Sequence, residues 1–97
     1  MTSPLVRIKL YDVPDAEACV RGIRHEVRGL ASRYSALSAV LFGLACDSGQ
    51  YEAHVDLHLP QHQIIVSAAA PTTERAVHEA MTKAADALTR LEANAAA

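Results

Sequence analysis

A chain of 97 residues is enough for one domain with a single core, and no apolar run in it approaches the ~20 residues that span a bilayer. Nine lysines and arginines against eleven aspartates and glutamates give a formal net charge of −2, which argues against indiscriminate binding of polyanions. The N-terminus has neither the basic start nor the long apolar segment of a secretory signal, so a cytoplasmic protein with no membrane partner is expected.

The charge is unevenly spread. Up to residue 33 the bases Arg7, Lys9, Arg21, Arg24, Arg28 and Arg33 outnumber Asp12, Asp15, Glu17 and Glu26. Beyond it only Arg75, Lys83 and Arg90 face Asp47, Glu52, Asp56, Glu74, Glu79, Asp86 and Glu92. A nucleic-acid surface, if the chain has one, belongs to the first third.

Residues 1–4 and 93–97 are expected as frayed tails of one domain, 1–97. Residues 5–11 alternate, with Val6, Ile8 and Leu10 on one side and Arg7 and Lys9 on the other, the pattern of a strand with one face buried. Pro14 suits a first helical turn, and Asp15 and Glu17 suit the positive end of a helix dipole. Over 15–34 the period lengthens to 3.6: Ala16, Cys19, Val20, Ile23, Val27, Leu30, Ala31 and Tyr34 form one apolar stripe. Across from it Arg21, Arg24, His25 and Arg28 recur at spacings of three and four and make one basic stripe. Such a stripe is either a solvated face or a surface for phosphates.

Residues 35–46 are apolar on both alternations, Leu37, Ala39 and Leu41 on one and Val40, Phe42, Leu44 and Cys46 on the other, as in a central or doubly covered strand. Asp47-Ser48-Gly49 is a turn. Residues 51–59 then alternate strictly, Tyr51, Ala53, Val55, Leu57 and Leu59 against Glu52, His54, Asp56 and His58. Pro60-Gln61-His62 interrupts the run, and the branched Ile64, Ile65 and Val66 open a second strand to Ala70, completing a hairpin. After Pro71-Thr72-Thr73, with a threonine as cap, a last helix carries Val77, Ala80, Met81, Ala84, Leu88 and Leu91 on its apolar side. The order predicts an α+β, two-layer βαβββα sandwich: a four-stranded mixed sheet with both helices on one face. The open face is expected to show Arg7, Lys9, His54, Asp56 and His58.

Chemistry is sparse. His54, Asp56 and His58 lie on one side of a strand at about 6.8 Å intervals, with His62 beyond, so they are weak candidates for a metal site that lacks an assured fourth ligand. No nucleophile elbow or phosphate-cradling glycine loop is present, so neither an enzyme nor a cofactor is expected. Cys19 and Cys46 fall on apolar positions of different elements and read as buried, reduced thiols.

The element order, Leu59-Pro60-Gln61-His62 followed by Ile64-Ile65-Val66-Ser67-Ala68, and Ala76-Val77 with Glu79 and Ala80 in the last helix resemble the ribosome hibernation-promoting factor and ribosome-associated inhibitor family, in a short, divergent form without the long form's dimerisation domain. The resemblance runs from about Leu5 to Leu91. It implies a βαβββα fold of the double-stranded-RNA-binding-domain kind and a translation inhibitor that binds the small ribosomal subunit and its RNA near the decoding centre, during stress, with no reaction. It also implies RNA contacts from Arg21, Arg24, His25 and Arg28 on the first helix and Arg75, Lys83 and Arg90 on the second. Two stretches depart from the family: Ala84-Ala85-Asp86-Ala87-Leu88-Thr89 replaces a basic run, and Gln50-Tyr51 replaces a Lys-Arg pair. With the acidic second half, these departures give a second expectation: a protein–protein module that has lost RNA binding and self-associates as a homodimer through an exposed apolar sheet face, motivated by Val40, Phe42 and Leu44.

Overall fold

In the computed structural model, which describes residues 3–96 and, for 95 and 96, the backbone alone, six elements follow the expected order. They are β1 (Leu5–Tyr11), α1 (Ala16–Arg33), β2 (Ala39–Asp47), β3 (Gln50–Leu59), β4 (His62–Ala70) and α2 (Thr73–Ala96). The sheet order is β1-β2-β3-β4, with β1 parallel to β2 and both other pairs antiparallel. A parallel pair needs a crossover and α1 supplies it; the two antiparallel pairs need only tight turns. At the first, Ser48 (φ 53°) and Gly49 (φ 83°) both lie in the left-handed region that a two-residue type I′ hairpin requires. At the second, Pro60 presets one turn residue and Gln61 (φ 70°) takes the left-handed position after it. His62 therefore opens β4, paired with Leu59, and is not part of the turn.

One face of the sheet is covered. Val40, Phe42 and Leu44 of β2, Ala53, Val55 and Leu57 of β3, and Ala68 and Ala70 of β4 form a single core with Ile23, Val27 and Leu30 of α1 and with Ala76, Val77, Ala80, Met81, Ala84 and Leu88 of α2. Ala76, Ala80 and Ala84 are spaced four apart and fully buried, so one small-residue ridge of α2 lies close on β3 and β4. The same burial overturns the expectation that Val40, Phe42 and Leu44 form an exposed apolar face: the helices cover that alternation. Cys46, on the same alternation, is nonetheless exposed, because it stands near the end of β2 beyond that cover; Cys19 is half-buried, and both thiols are free.

The helix ends differ in kind. α2 is capped as expected: Thr72 Oγ1 accepts from the Arg75 amide at 3.2 Å, and the Thr72 carbonyl from the Ala76 amide at 3.0 Å. Thr72→Ala is expected to cost about 1 kcal/mol, read as a lower melting temperature with unchanged spectra. α1 begins one residue later than expected, at Ala16. Asp15 precedes it in a left-handed conformation (φ 56°, ψ 49°) with no side-chain cap, and Pro14 lies before the first turn. α2 continues through 93–96, where fraying was expected, since alanine has the highest helix propensity. The expected fraying at Met1, Thr2 and Ala97 falls outside the described residues. β2 starts at Ala39, not Ser35, because 35–38 form a connection held by the Leu37 amide on the Tyr34 carbonyl and the Ser38 amide on the His58 carbonyl.

The open face is fixed by register. From β1 to β4 its rows are Leu5, Ala39, His58, Gln63; Arg7, Leu41, Asp56, Ile65; Lys9, Gly43, His54, Ser67; and Tyr11, Ala45, Glu52, Ala69. Arg7, Lys9, His54, Asp56 and His58 are thus on the open side, together with apolar residues that alternation alone did not single out.

Candidate nucleic-acid interface

α1 turns Ile23, Val27 and Leu30 into the core, and burying each of them stabilises its docking by about 1.5–3 kcal/mol. That docking fixes the opposite side of the helix. Arg21, Arg24, His25 and Arg28 are all exposed there. Arg21 to Arg28 is seven residues, about 10 Å along the helix at its standard rise, so the three guanidinium groups form one ridge. None of the three is in an ion pair among the described residues: the pairs there are Arg75–Glu79 at 3.4 Å and two that involve histidines of β3. Arg24 and Arg28 also border a groove against the start of β1 whose other lining residues, Ser3, Pro4, Leu5, Val6, Val27 and Ala31, include no acid. α1 carries four arginines against two glutamates. Its free cations are therefore available to an external anion without first breaking an internal contact.

The second-helix cations are arranged differently. Arg75 Nη2 donates to Glu79 Oε1 one turn on. Lys83 Nζ donates to the Ser67 carbonyl of β4 at 2.8 Å, so it serves the sheet edge. Arg90 is exposed near the far end of the helix. Across α2, three cations share the helix with four acids, Glu74, Glu79, Asp86 and Glu92. The structure thus gathers the first-helix group and leaves the second-helix group apart from it and partly engaged.

Arg33 was not among the residues singled out from sequence. It closes the series on α1, but its guanidinium lies over the Tyr34 ring, 5.6 Å from the centroid. Tyr34 in turn shares a 2.8 Å hydroxyl–hydroxyl hydrogen bond with Thr89, tying the end of α1 to α2. The aromatic residue directly after an arginine was the available signal; its long-range partner was not visible.

On β3, His58 Nε2 lies 3.2 Å from Asp56 Oδ1 without the alignment of a hydrogen bond, and His54 Nε2 lies 3.8 Å from Glu52 Oε1. Asp56 instead accepts from Gln63 Nε2 at 2.9 and 3.1 Å. Among the described residues no three histidines, cysteines or acids converge on a point that could hold a metal ion. His54, Asp56 and His58 share a side of the strand, but each carboxylate sits beside one neighbouring imidazole and the two imidazoles are not brought together. No helix of the described residues is long and apolar enough to cross a membrane.

No protein-family model matches the chain, and no curated protein does. Solved structures do. A ribosomal subunit interface protein from Coxiella burnetii superposes with a TM-score of 0.83 at 14% identity, over 91% of this chain and 97% of that one. The chain has the fold of that ribosomal subunit interface protein. The N-terminal domain of Thermus thermophilus Protein Y superposes nearly as well, with a TM-score of 0.80 at 13% identity, over 92% of this chain and 99% of that one. At such identities the likeness is one of architecture, complete from β1 to α2, and the expected βαβββα sandwich is the one observed.

Proposed function

We propose that this chain is a non-enzymatic, cytoplasmic ribosome-associated factor of the hibernation-promoting type, which docks on the small ribosomal subunit by laying Arg21, Arg24, His25 and Arg28 along RNA phosphates. One observation carries the reading: the three arginines form an exposed ridge with no internal carboxylate partner, on a fold shared with a ribosomal subunit interface protein. Phosphate contacts of this kind position a protein without reading sequence, as ribosomal RNA presented as a shaped surface requires. The domain would act by occupancy, filling space that the translating ribosome needs. Arg75, Lys83 and Arg90 contribute secondarily, because two of them already serve internal partners.

Sedimentation of the purified chain with isolated small subunits tests this directly. Co-migration at low salt, declining as salt rises, is the expected outcome; a chain that stays in the supernatant at the lowest salt would remove the reading.

A further inference from the structure

The exposed large apolar side chains of the described residues, Leu5 (56% exposed), Tyr11 (58%) and Ile65 (68%), all stand on the sheet face away from the helices. The floor of that face is a shallow trough along β2, where Ala39, Leu41 and Gly43 lie between the cations of β1 and the acids and histidines of β3. We propose that this face pairs with the same face of a second copy of the chain, leaving the α1 ridge free.

Charge selects the occupant and its orientation. Arg7 and Lys9 sit on β1, two strands from Asp56 and Glu52 on β3, so the face is basic on one flank and acidic on the other. A two-fold axis across the strands would lay β1 on β1 and set Arg7 against Lys9. A two-fold axis along β2 lays β1 of one copy on β3 of the other, row for row. Arg7 then meets Asp56 of the second copy and the Tyr11 hydroxyl faces its Glu52, while β2 meets itself through Leu41 and Gly43. Ile65 reaches past the other copy's β1 along the aliphatic stem of Arg7. Small residues at the centre allow the ~10 Å approach of packed sheets.

The sheet edges are poor alternatives. Lys83 already occupies the Ser67 carbonyl on β4. Antiparallel pairing of β1 with itself, open faces on one side, would put Arg7 and Lys9 against like charge. Three strands overlap in this arrangement; at ~4.8 Å spacing and four rows of ~6.8 Å they give roughly 400 Å² per copy, so the pair buries about 800 Å², the scale of a weak, reversible dimer.

Sedimentation equilibrium from about 1 µM to 1 mM reads the association. The wild-type chain is expected to dimerise reversibly. A Cβ added at Gly43 meets nothing within 4 Å, so Gly43→Lys keeps the fold while placing two like charges on the axis. It should raise Kd by at least about tenfold, as should Arg7→Glu and Asp56→Arg singly, whereas Arg7→Glu/Asp56→Arg together restore wild-type association. A wild-type monomer at 1 mM, a Gly43→Lys chain that dimerises normally, or a double variant that stays weak would each overturn the proposal. Gly43→Lys should still pellet with small subunits as the wild type does, so this test and that of ribosome binding fail separately.

Discussion

Phe42→Ala should lower the stability of the domain by about 3–5 kcal/mol, a large part of the ~5–15 kcal/mol that holds a domain of this size folded. Phe42 is the chain's single phenylalanine and the largest fully buried side chain among the described residues. It lies in register with Ile8 on β1 and Val55 on β3, at the centre of the sheet, and belongs to the core that both helices share. Truncation removes a ring from the middle of that layer, and a sheet pinned by neighbouring strands collapses poorly around the gap. At roughly 4–8 °C per kcal/mol for a domain near this length, the melting temperature should fall by about 12 °C at the least. Thermal unfolding followed by circular dichroism measures it. Ile65→Ala, on the open face, should change the stability of the dilute chain by no more than about 0.5 kcal/mol. A larger loss from Ile65→Ala than from Phe42→Ala would mean that the buried and open faces of the sheet have been assigned the wrong way round.

Reversing Arg21, Arg24 and Arg28 to glutamate should weaken association with small subunits at least about a hundredfold near 100 mM salt, because three cation–phosphate contacts become three repulsions. The substitutions leave the fold intact: all three side chains are exposed and none has an internal ionic partner to lose. Arg75→Glu is the informative contrast. Its guanidinium is already paired with Glu79 on an exposed helical turn, a pair of small net value in water, and four acids share α2 with its three cations. A change of about threefold or less is expected there. Filter binding or fluorescence anisotropy against small subunits would rank the two variants, and a larger loss from Arg75→Glu would move the contact surface to α2.

The architecture was legible because each element announced its period. Strict alternation over 51–59 marked β3, the 3.6 repeat through Ile23, Val27 and Leu30 marked α1, and Pro60 and Gly49 marked the turns. β2 was the exception. With Ala39 and Leu41 on one alternation and Val40, Phe42 and Leu44 on the other, its sequence has two apolar faces, and only pairing with β1 and β3 decides which of them meets the helices. Cys46 continues the buried alternation by period yet is exposed, since period says nothing about where the covering helices stop. The arginine ridge was equally readable, because three- and four-residue spacing fixes a helix face once its apolar side is known. What could not be read was the state of the other cations. The partner of Lys83 is a backbone carbonyl on β4 sixteen residues away, and Tyr34 meets Thr89 across 55 residues. Those are properties of packing, with no local signature.

The salt dependence of binding to small subunits, measured for the wild-type chain beside an Arg21→Gln/Arg24→Gln/Arg28→Gln variant between about 50 and 200 mM, tests the central claim most directly. If the ridge on α1 grips phosphates, the logarithmic slope of the variant should be shallower by about 2–3, roughly one for each contact removed. Identical slopes for the two proteins would contradict it.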